Sequence, residues 1–206
     1  MTPAKRLMDI ALALVFLVLL SPLLLFVSLC VLIVDGRPIL YRSERMKTPT
    51  QGFQLWKFRT MSVVETDSGV SGGDKSARIT PLGARLRRTR ADEMPQLLNI
   101  LRGDISFVGP RPPLRRYVNL RPDLYEKVLQ SRPGVTGLAT LTFHATEERL
   151  LAACQTAAET EQVYLRRCVP GKARLDLIYA ANQSICYDAK LIWQTIARAL
   201  HLAPRM

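Results

Sequence analysis

From Ile10 to Val34 the chain is apolar and carries no charge, a stretch of 25 residues. A helix of that length would reach roughly 37 Å, more than a hydrocarbon core of about 30 Å. One transmembrane helix is the simplest reading. Ser21-Pro22, however, sits mid-run, where proline removes a backbone hydrogen bond and kinks or breaks a helix. Each half, about 11 to 13 residues, is then too short to cross alone. Lys5 and Arg6 flank one end, and Arg37, Arg42, Arg45 and Lys47 follow the other, so the positive-inside rule asks for both ends on the cytoplasmic side. A helix–break–helix that enters one leaflet and returns satisfies both features, provided the freed backbone finds partners within the protein or at Ser21. The run continues past Ser21-Pro22, which is no small-x-small cleavage site, so a signal peptide is not expected.

Beyond residue 36 the pattern breaks into short elements. Pro38–Tyr41 is a brief apolar stretch, followed by a polar loop with Pro49 and Gly52. Phe53–Met61 alternates in part and predicts a strand, with Lys57 and Arg59 on one face at a period of two. That basic face is either solvated or a phosphate contact. Residues 65–76, rich in Gly, Ser and Asp, lack the order of a P-loop and read as a surface loop. Thr80-Pro81 starts a helix, and Gly103 stops the next one, whose apolar positions are Leu97, Leu98, Ile100 and Leu101. Ile105–Val108 predicts a buried strand, Leu120–Gln130 a helix, Ser131–Gly137 a turn and Leu138–Phe143 a further strand. Thr146–Arg167 predicts a helix ended by Pro170-Gly171, and Leu175–Leu202 a last helical region carrying Asp176 and Asp188. The expected fold class is helix-rich α+β: residues 1–36 form the membrane hairpin, and 37–206 a small cytoplasmic domain with short strands and amphipathic surface helices.

Charge narrows the partners. Lys and Arg number 29 against 17 Asp and Glu, a net charge of +12, which suits nucleic acid, anionic lipid headgroups or phosphorylated substrates. Nucleic acid is the least favoured, because the basic residues are not interleaved with exposed aromatics and Trp56 and Phe58 follow a strand pattern. The four cysteines show no C-x-x-C pair and read as reduced structural thiols; His144 and His201 are isolated.

The stretch with most chemistry is Thr89–Asp104. Asp92 and Glu93 stand behind Arg85, Arg87, Arg88 and Arg90, at what reads as a helix start. Carboxylates in a first turn are common simply because the helix dipole favours them. The same field, with the arginines, also suits an ionised Asp that attacks phosphorus or holds a divalent metal. Gly109-Pro110-Arg111-Pro112-Pro113 adds a stiff turn whose arginine fork can be pre-aimed at phosphate.

Seven marks follow in order: Lys5–Ile10, the Ser21-Pro22 break, Lys57–Met61, Arg78–Gly83, Asp92–Leu97, Gly103–Pro112 and Arg132–Gly137. In this order the chain resembles the bacterial sugar transferases, small monotopic phosphoglycosyl transferases. That resemblance implies transfer of a sugar-1-phosphate from a UDP-sugar to polyprenyl phosphate, with release of UMP, at the cytoplasmic face of the bacterial inner membrane. It implies Asp92 as nucleophile, Glu93 as ligand of Mg2+, and phosphate contacts from Arg111 and Lys57. Arg59, Arg87 and Arg88 extend the expected substrate-binding set, and a later acidic residue at the site maps to Asp188, with Asp176 the alternative. Anionic lipid is the expected further partner, and a homo-oligomer is left open. A membrane-tethered binding protein without turnover is the competing class, and it would not need Asp92.

Three places depart from the family pattern. Ser43–Lys47 replaces Q-x-R-x-G, Arg90 stands where a capping Ser or Thr is usual, and Leu138–His144 replaces A-Q-V-N-G-R. With Arg90 there, the cap must come from Thr89 or be absent.

Overall fold

The computed structural model describes residues 1–63 and 78–199. The loop expected at 65–76, His201 and the end of the last helix lie outside them. The fold is helix-rich α+β with two small two-stranded sheets.

Helix α1 runs from Pro3 to Val34, capped by the Thr2 hydroxyl on the Lys5 amide. It stays helical through Pro22, where a break was expected. The reason is local. Pro22 has no N–H to give the Val18 carbonyl, and the Ser21 hydroxyl donates to that carbonyl instead, at 2.8 Å. By length and composition α1 is apolar enough to cross a membrane. One stripe, at Lys5, Asp9, Ala13, Val27 and Val31, is buried, while Leu14, Val18, Leu25, Phe26 and Ile33 are exposed. Ala13 joins a core with Leu97, Ile100, Ile105 and Phe107, and Val27 and Val31 join another with Phe58 and Leu86.

Both ends of α1 are fastened by polar groups. At the start, the Lys5 ammonium pairs with Asp188, and both are buried. Tyr179 donates its hydroxyl to Asp188 at 2.7 Å, and lies 3.2 Å from the Val108 carbonyl. Burial, and then the hydrogen bond to Asp188, push the Tyr179 phenol up, so it stays a donor. Arg6 donates to the Ile100 and Leu101 carbonyls at 2.6 and 2.8 Å. At the other end Arg59 donates to the carbonyls of Asp35, Gly36 and Arg37.

After α1, β1 (Leu40–Met46) and β2 (Gly52–Phe58) form an antiparallel hairpin in which Tyr41 faces Lys57 and Arg42 faces Trp56. The strand β1 is longer than the apolar run expected there, because its polar residues alternate between the two faces. Helix α2 (Pro81–Thr89) starts on Thr80 as expected. Arg90 follows in the left-handed region at φ 56°, and residues Ala91–Glu93 form a single 3-10 turn before α3 (Gln96–Arg102), stopped by Gly103 at φ 81°. Buried Asn99 joins α3 to β2, accepting from the Trp56 amide and donating to the Gln54 carbonyl.

The strand β3 (Ser106–Val108) pairs in parallel with β4 (Gly134–Thr136), a strand where the sequence predicted a turn. Two glycines permit this approach: a Cβ on Gly109 would lie 2.1 Å from the Arg132 carbonyl oxygen, and one on Gly134 2.2 Å from the Gly109 nitrogen. Short helices α4 (Arg115–Leu120) and α5 (Pro122–Val128) replace the single one expected.

Leu138–Phe143, expected as a strand, begins helix α6 (Leu138–Ala152). Its core residues Leu138 and Leu141 are three apart, a spacing that serves a helix face better than a strand. The helix expected over Thr146–Arg167 is divided between α6 and α7 (Ala157–Val163), with Thr156 capping α7. A π-type turn at Tyr164–Cys168 then leads into α8 (Val169–Ala181). Pro170 does not end the helix. It sits in the first turn of α8, where its missing N–H removes no bond that the wider turn needs. Last comes α9 (Ile185–Ala199).

Asp188→Ala strands the buried Lys5 charge, at an expected cost of about 3–5 kcal/mol and a fall in Tm of about 10 °C. Thermal unfolding of the purified protein in detergent checks this, and the double change Lys5→Met/Asp188→Leu is expected to recover most of the loss.

Candidate active site

Two adjacent carboxylates on the 3-10 turn meet opposite treatment. Glu93 is clamped: its Oε1 accepts from Lys57 Nζ at 2.8 Å and from Arg111 Nη2 at 2.9 Å, while Arg90 stands 3.9 Å from Oε2. Lys57 comes from the end of β2, and Arg111 from the turn after β3. Burial, the largest single influence, pushes Glu93 up, but Arg111 and Lys57 together overcome it and hold the carboxyl well below the usual range. Asp92 is buried at 7% exposure, and among the described residues nothing hydrogen-bonds its carboxylate. Burial raises its pKa, opposed by Lys57, and the charge of Glu93 raises it further. The helix-start field expected to favour ionised Asp92 is therefore outweighed by desolvation.

The cap question is settled by the backbone. The turn has no side-chain cap, and the Thr89 hydroxyl instead donates back to the Arg85 and Leu86 carbonyls at 3.2 and 3.1 Å.

Pre-aiming of Arg111 follows from its loop. Its neighbours Pro110 and Pro112 are buried, and the loop is stitched to the next motif by Gly109 N to the Thr136 carbonyl and Gly134 N to the Pro110 carbonyl, both 2.9 Å. The Arg111 side chain itself is 42% exposed, so it reaches solvent as well as Glu93. Interaction with Glu93 raises the Arg111 pKa, and burial followed by the charge of Arg111 lowers that of Lys57.

Of the expected substrate residues, Arg87 is close enough to influence Asp92 and is oriented by an Nε bond of 2.8 Å to the Thr60 hydroxyl. Arg88 is exposed on α2 and joins no contact with the pair. Arg59 and Asp188 are not brought to the pair and fasten the two ends of α1. Arg59 is buried on three carbonyls at the end of α1, so its fork is spent as a helix cap. Asp188 has one oxygen on Lys5 and the other on Tyr179, holding α9 to α1. Asp176, the alternative, is buried beside the second core and pushed up to about 7 by burial, with Lys172 opposing.

Arg45 was missed as a site residue. It shares a small cleft with Leu55, Gln96, Arg111, Pro112 and Gly134, and burial followed by the charge of Arg111 lowers its pKa. The signal was its register: Tyr41, Ser43 and Arg45 alternate onto the face of Lys57. A second missed group is the Lys172–Glu147 pair, 2.6 Å apart with Lys172 over the Tyr164 ring; Glu147 and Tyr164 both act on Arg111.

A family model described as bacterial sugar transferase matches residues 1–201. The chain belongs to the bacterial sugar transferase family. A UDP-glucose:undecaprenyl-phosphate glucose-1-phosphate transferase of Escherichia coli (strain K12) is 32% identical over 196 residues, covering 93% of this chain but 39% of that protein. The chain thus spans about two-fifths of that relative's length. A protein of the same description from Caulobacter vibrioides is 34% identical over 200 residues, covering 95% of this chain and 69% of the relative. An exopolysaccharide production protein of Rhizobium leguminosarum bv. phaseoli is 35% identical over 209 residues, covering 95% and 94%.

Because ionised Asp92 is disfavoured by its surroundings, Asp92→Asn is expected to stabilise the fold at pH 7 by on the order of 1 kcal/mol, about 2–4 °C in Tm. A raised native pKa makes this cost appear as pH climbs through it. The gain should therefore vanish once pH falls below about 4, where the carboxyl is protonated in both states. Thermal unfolding of both proteins across pH checks the sign.

Proposed function

We propose that this chain is a phosphoglycosyl transferase, moving a sugar-1-phosphate from a UDP-sugar to polyprenyl phosphate through a phosphosugar–Asp92 intermediate and releasing UMP. One observation carries the reading: neighbouring carboxylates with opposite pKa shifts, one clamped by two cations and one buried and unclamped. Such a division assigns two roles to chemically similar groups. The E. coli and Caulobacter relatives are themselves named for UDP-glucose and undecaprenyl phosphate, which agrees with it.

Asp92 attacks the phosphorus bonded to the sugar-1 oxygen. The new P–O bond to Asp92 forms as the bond from that phosphorus to the bridging oxygen breaks, and the electron pair leaves with UMP. Polyprenyl phosphate then attacks the same phosphorus and expels the Asp92 carboxylate, giving a polyprenyl diphosphate sugar. Raised basicity of Asp92 strengthens it as a nucleophile once ionised. Arg111, Lys57 and Arg87 are fixed cations for the charge that spreads over the transferring phosphoryl oxygens.

The carboxylate that could join Mg2+ is Glu93, whose Oε2 lies 3.9 Å from Arg90 and is not the oxygen held by Lys57 and Arg111; Mg2+ commonly takes one or two carboxylates with substrate phosphates and water. Glu93 would hold it, and the ion would neutralise diphosphate charge.

A re-entrant α1 belongs to the same proposal. It is supported by both ends of the helix being fastened to one body, at Lys5–Asp188 and at Arg59 on Asp35–Arg37. That arrangement would put the site at the cytoplasmic surface of the membrane, beside a lipid-borne acceptor.

UMP release from a panel of UDP-sugars, with Mg2+, polyprenyl phosphate and detergent, tests the function. Wild type is expected to turn over one or a few donors, and Asp92→Asn to lose at least about 10³-fold. Equal release by Asp92→Asn would overturn the covalent route. In the same assay Arg111→Lys, which keeps charge but loses the fork, should lower kcat by roughly 10–100-fold.

A further inference from the structure

On the face of the β1–β2 hairpin opposite Lys57, three arginines stand without carboxylate partners. Strand alternation puts Leu40, Arg42, Trp56 and Phe58 on this face, and Tyr41 with Lys57 on the other. The Arg42 guanidinium lies 5.0 Å from the Trp56 ring centre and that of Arg102, at the end of α3, 4.5 Å from it. Arg42 also borders an open groove of about 460 Å³ lined by Leu32, Arg37, Pro38, Ile39 and Leu40. Arg37, Arg42 and Arg102 are exposed, and among the described residues none of them pairs with Asp or Glu. Leu29, Ile33 and Val34, in the same last turns of α1 as the lining residue Leu32, are exposed.

We infer that this groove is a binding site for an anionic bilayer phospholipid, its acyl chain along Leu32, Ile39 and Leu40 and its phosphate held by Arg37 and Arg42. The inference rests on the membrane reading above and adds a site to it. Three features choose this occupant. An apolar floor with arginines at its rim matches a chain joined to a phosphate. Trp56 under two guanidiniums is an amphipathic ring of the kind found at the membrane–water boundary. None of Lys57, Asp92, Glu93 and Arg111 lines the groove, so a phosphate held by Arg37 and Arg42 does not sit at the reacting pair. The occupant is therefore a bilayer lipid and not the polyprenyl phosphate acceptor.

The two tryptophans, Trp56 and Trp193, allow a direct test. In the full chain carrying Trp193→Phe, fluorescence of Trp56 is followed in vesicles of phosphatidylcholine and phosphatidylglycerol, with bromine placed on the acyl chains of one lipid or the other. Brominated phosphatidylglycerol is expected to quench Trp56 more than brominated phosphatidylcholine. Arg37→Gln/Arg42→Gln should reduce that preference on the order of tenfold, and Arg121→Gln/Arg149→Gln, exposed charges elsewhere, should leave it alone. Arg37→Gln alone, whose side chain is exposed, must lower it too, which keeps the test decisive if the Arg42 change loosens the hairpin. Equal quenching by both lipids, or an equal loss in the remote variant, would overturn the site. Relief of quenching by added polyprenyl phosphate would reassign the groove to the acceptor. UMP release measured on the same samples reports on the catalytic reading separately.

Discussion

One carboxylate oxygen gathers the site. Glu93 Oε1 receives Lys57 from β2 and Arg111 from the loop after β3, so three separate pieces of chain converge on a single acceptor. Neither cation could be drawn into a half-buried position without it. Burial lowers the pKa of Lys57 and raises that of a carboxylate, and the cluster is favourable only because each charge offsets the desolvation of the others. Asp92 is the exception: it shares the positive surroundings but makes none of the bonds, so burial keeps its pKa raised.

The scaffold exists to keep that convergence fixed. Asn99 holds α3 to the edge of β2, which sets the distance from the 3-10 turn to Lys57. The backbone contact between Gly109 and Gly134 sets the loop of Arg111 against β4. Tyr179 joins the Val108 carbonyl to Asp188, and so to Lys5 on α1. Seating of the long apolar helix and placement of the Arg111 loop thus share one chain of buried bonds.

Local signals carried much of this, and long-range ones did not. Thr80-Pro81, Gly103, Ile105–Val108 and the G-P-R-P turn are short-range features whose physics lies within a few residues, and they stand where the sequence put them. The Asp92-Glu93 pair was legible as chemistry, while the opposite pKa shifts depend on which side chain folds against Lys57 and Arg111, a tertiary fact. Arg59 was read with Lys57 from the strand's period of two, and Asp188 from the family pattern, whereas their contacts at the two ends of α1 are long-range facts. Strand β4 was hidden because Gly134 and Gly137 signal a turn unless another backbone needs their missing Cβ. The Pro170 stop failed because a π-type turn had already opened the helix by one residue.

The pair between Lys5 and Asp188 also imposes an order in time. Its members are 183 positions apart, so at about 5–20 residues per second Lys5 is made roughly 10–40 s before its counter-ion. During that interval the apolar helix has no finished domain to rest on, and an ammonium at its foot has nowhere to be buried. Lys5 can therefore reach its buried position only after the last helix, carrying Asp188, has been made, and that helix closes the assembly as its latch.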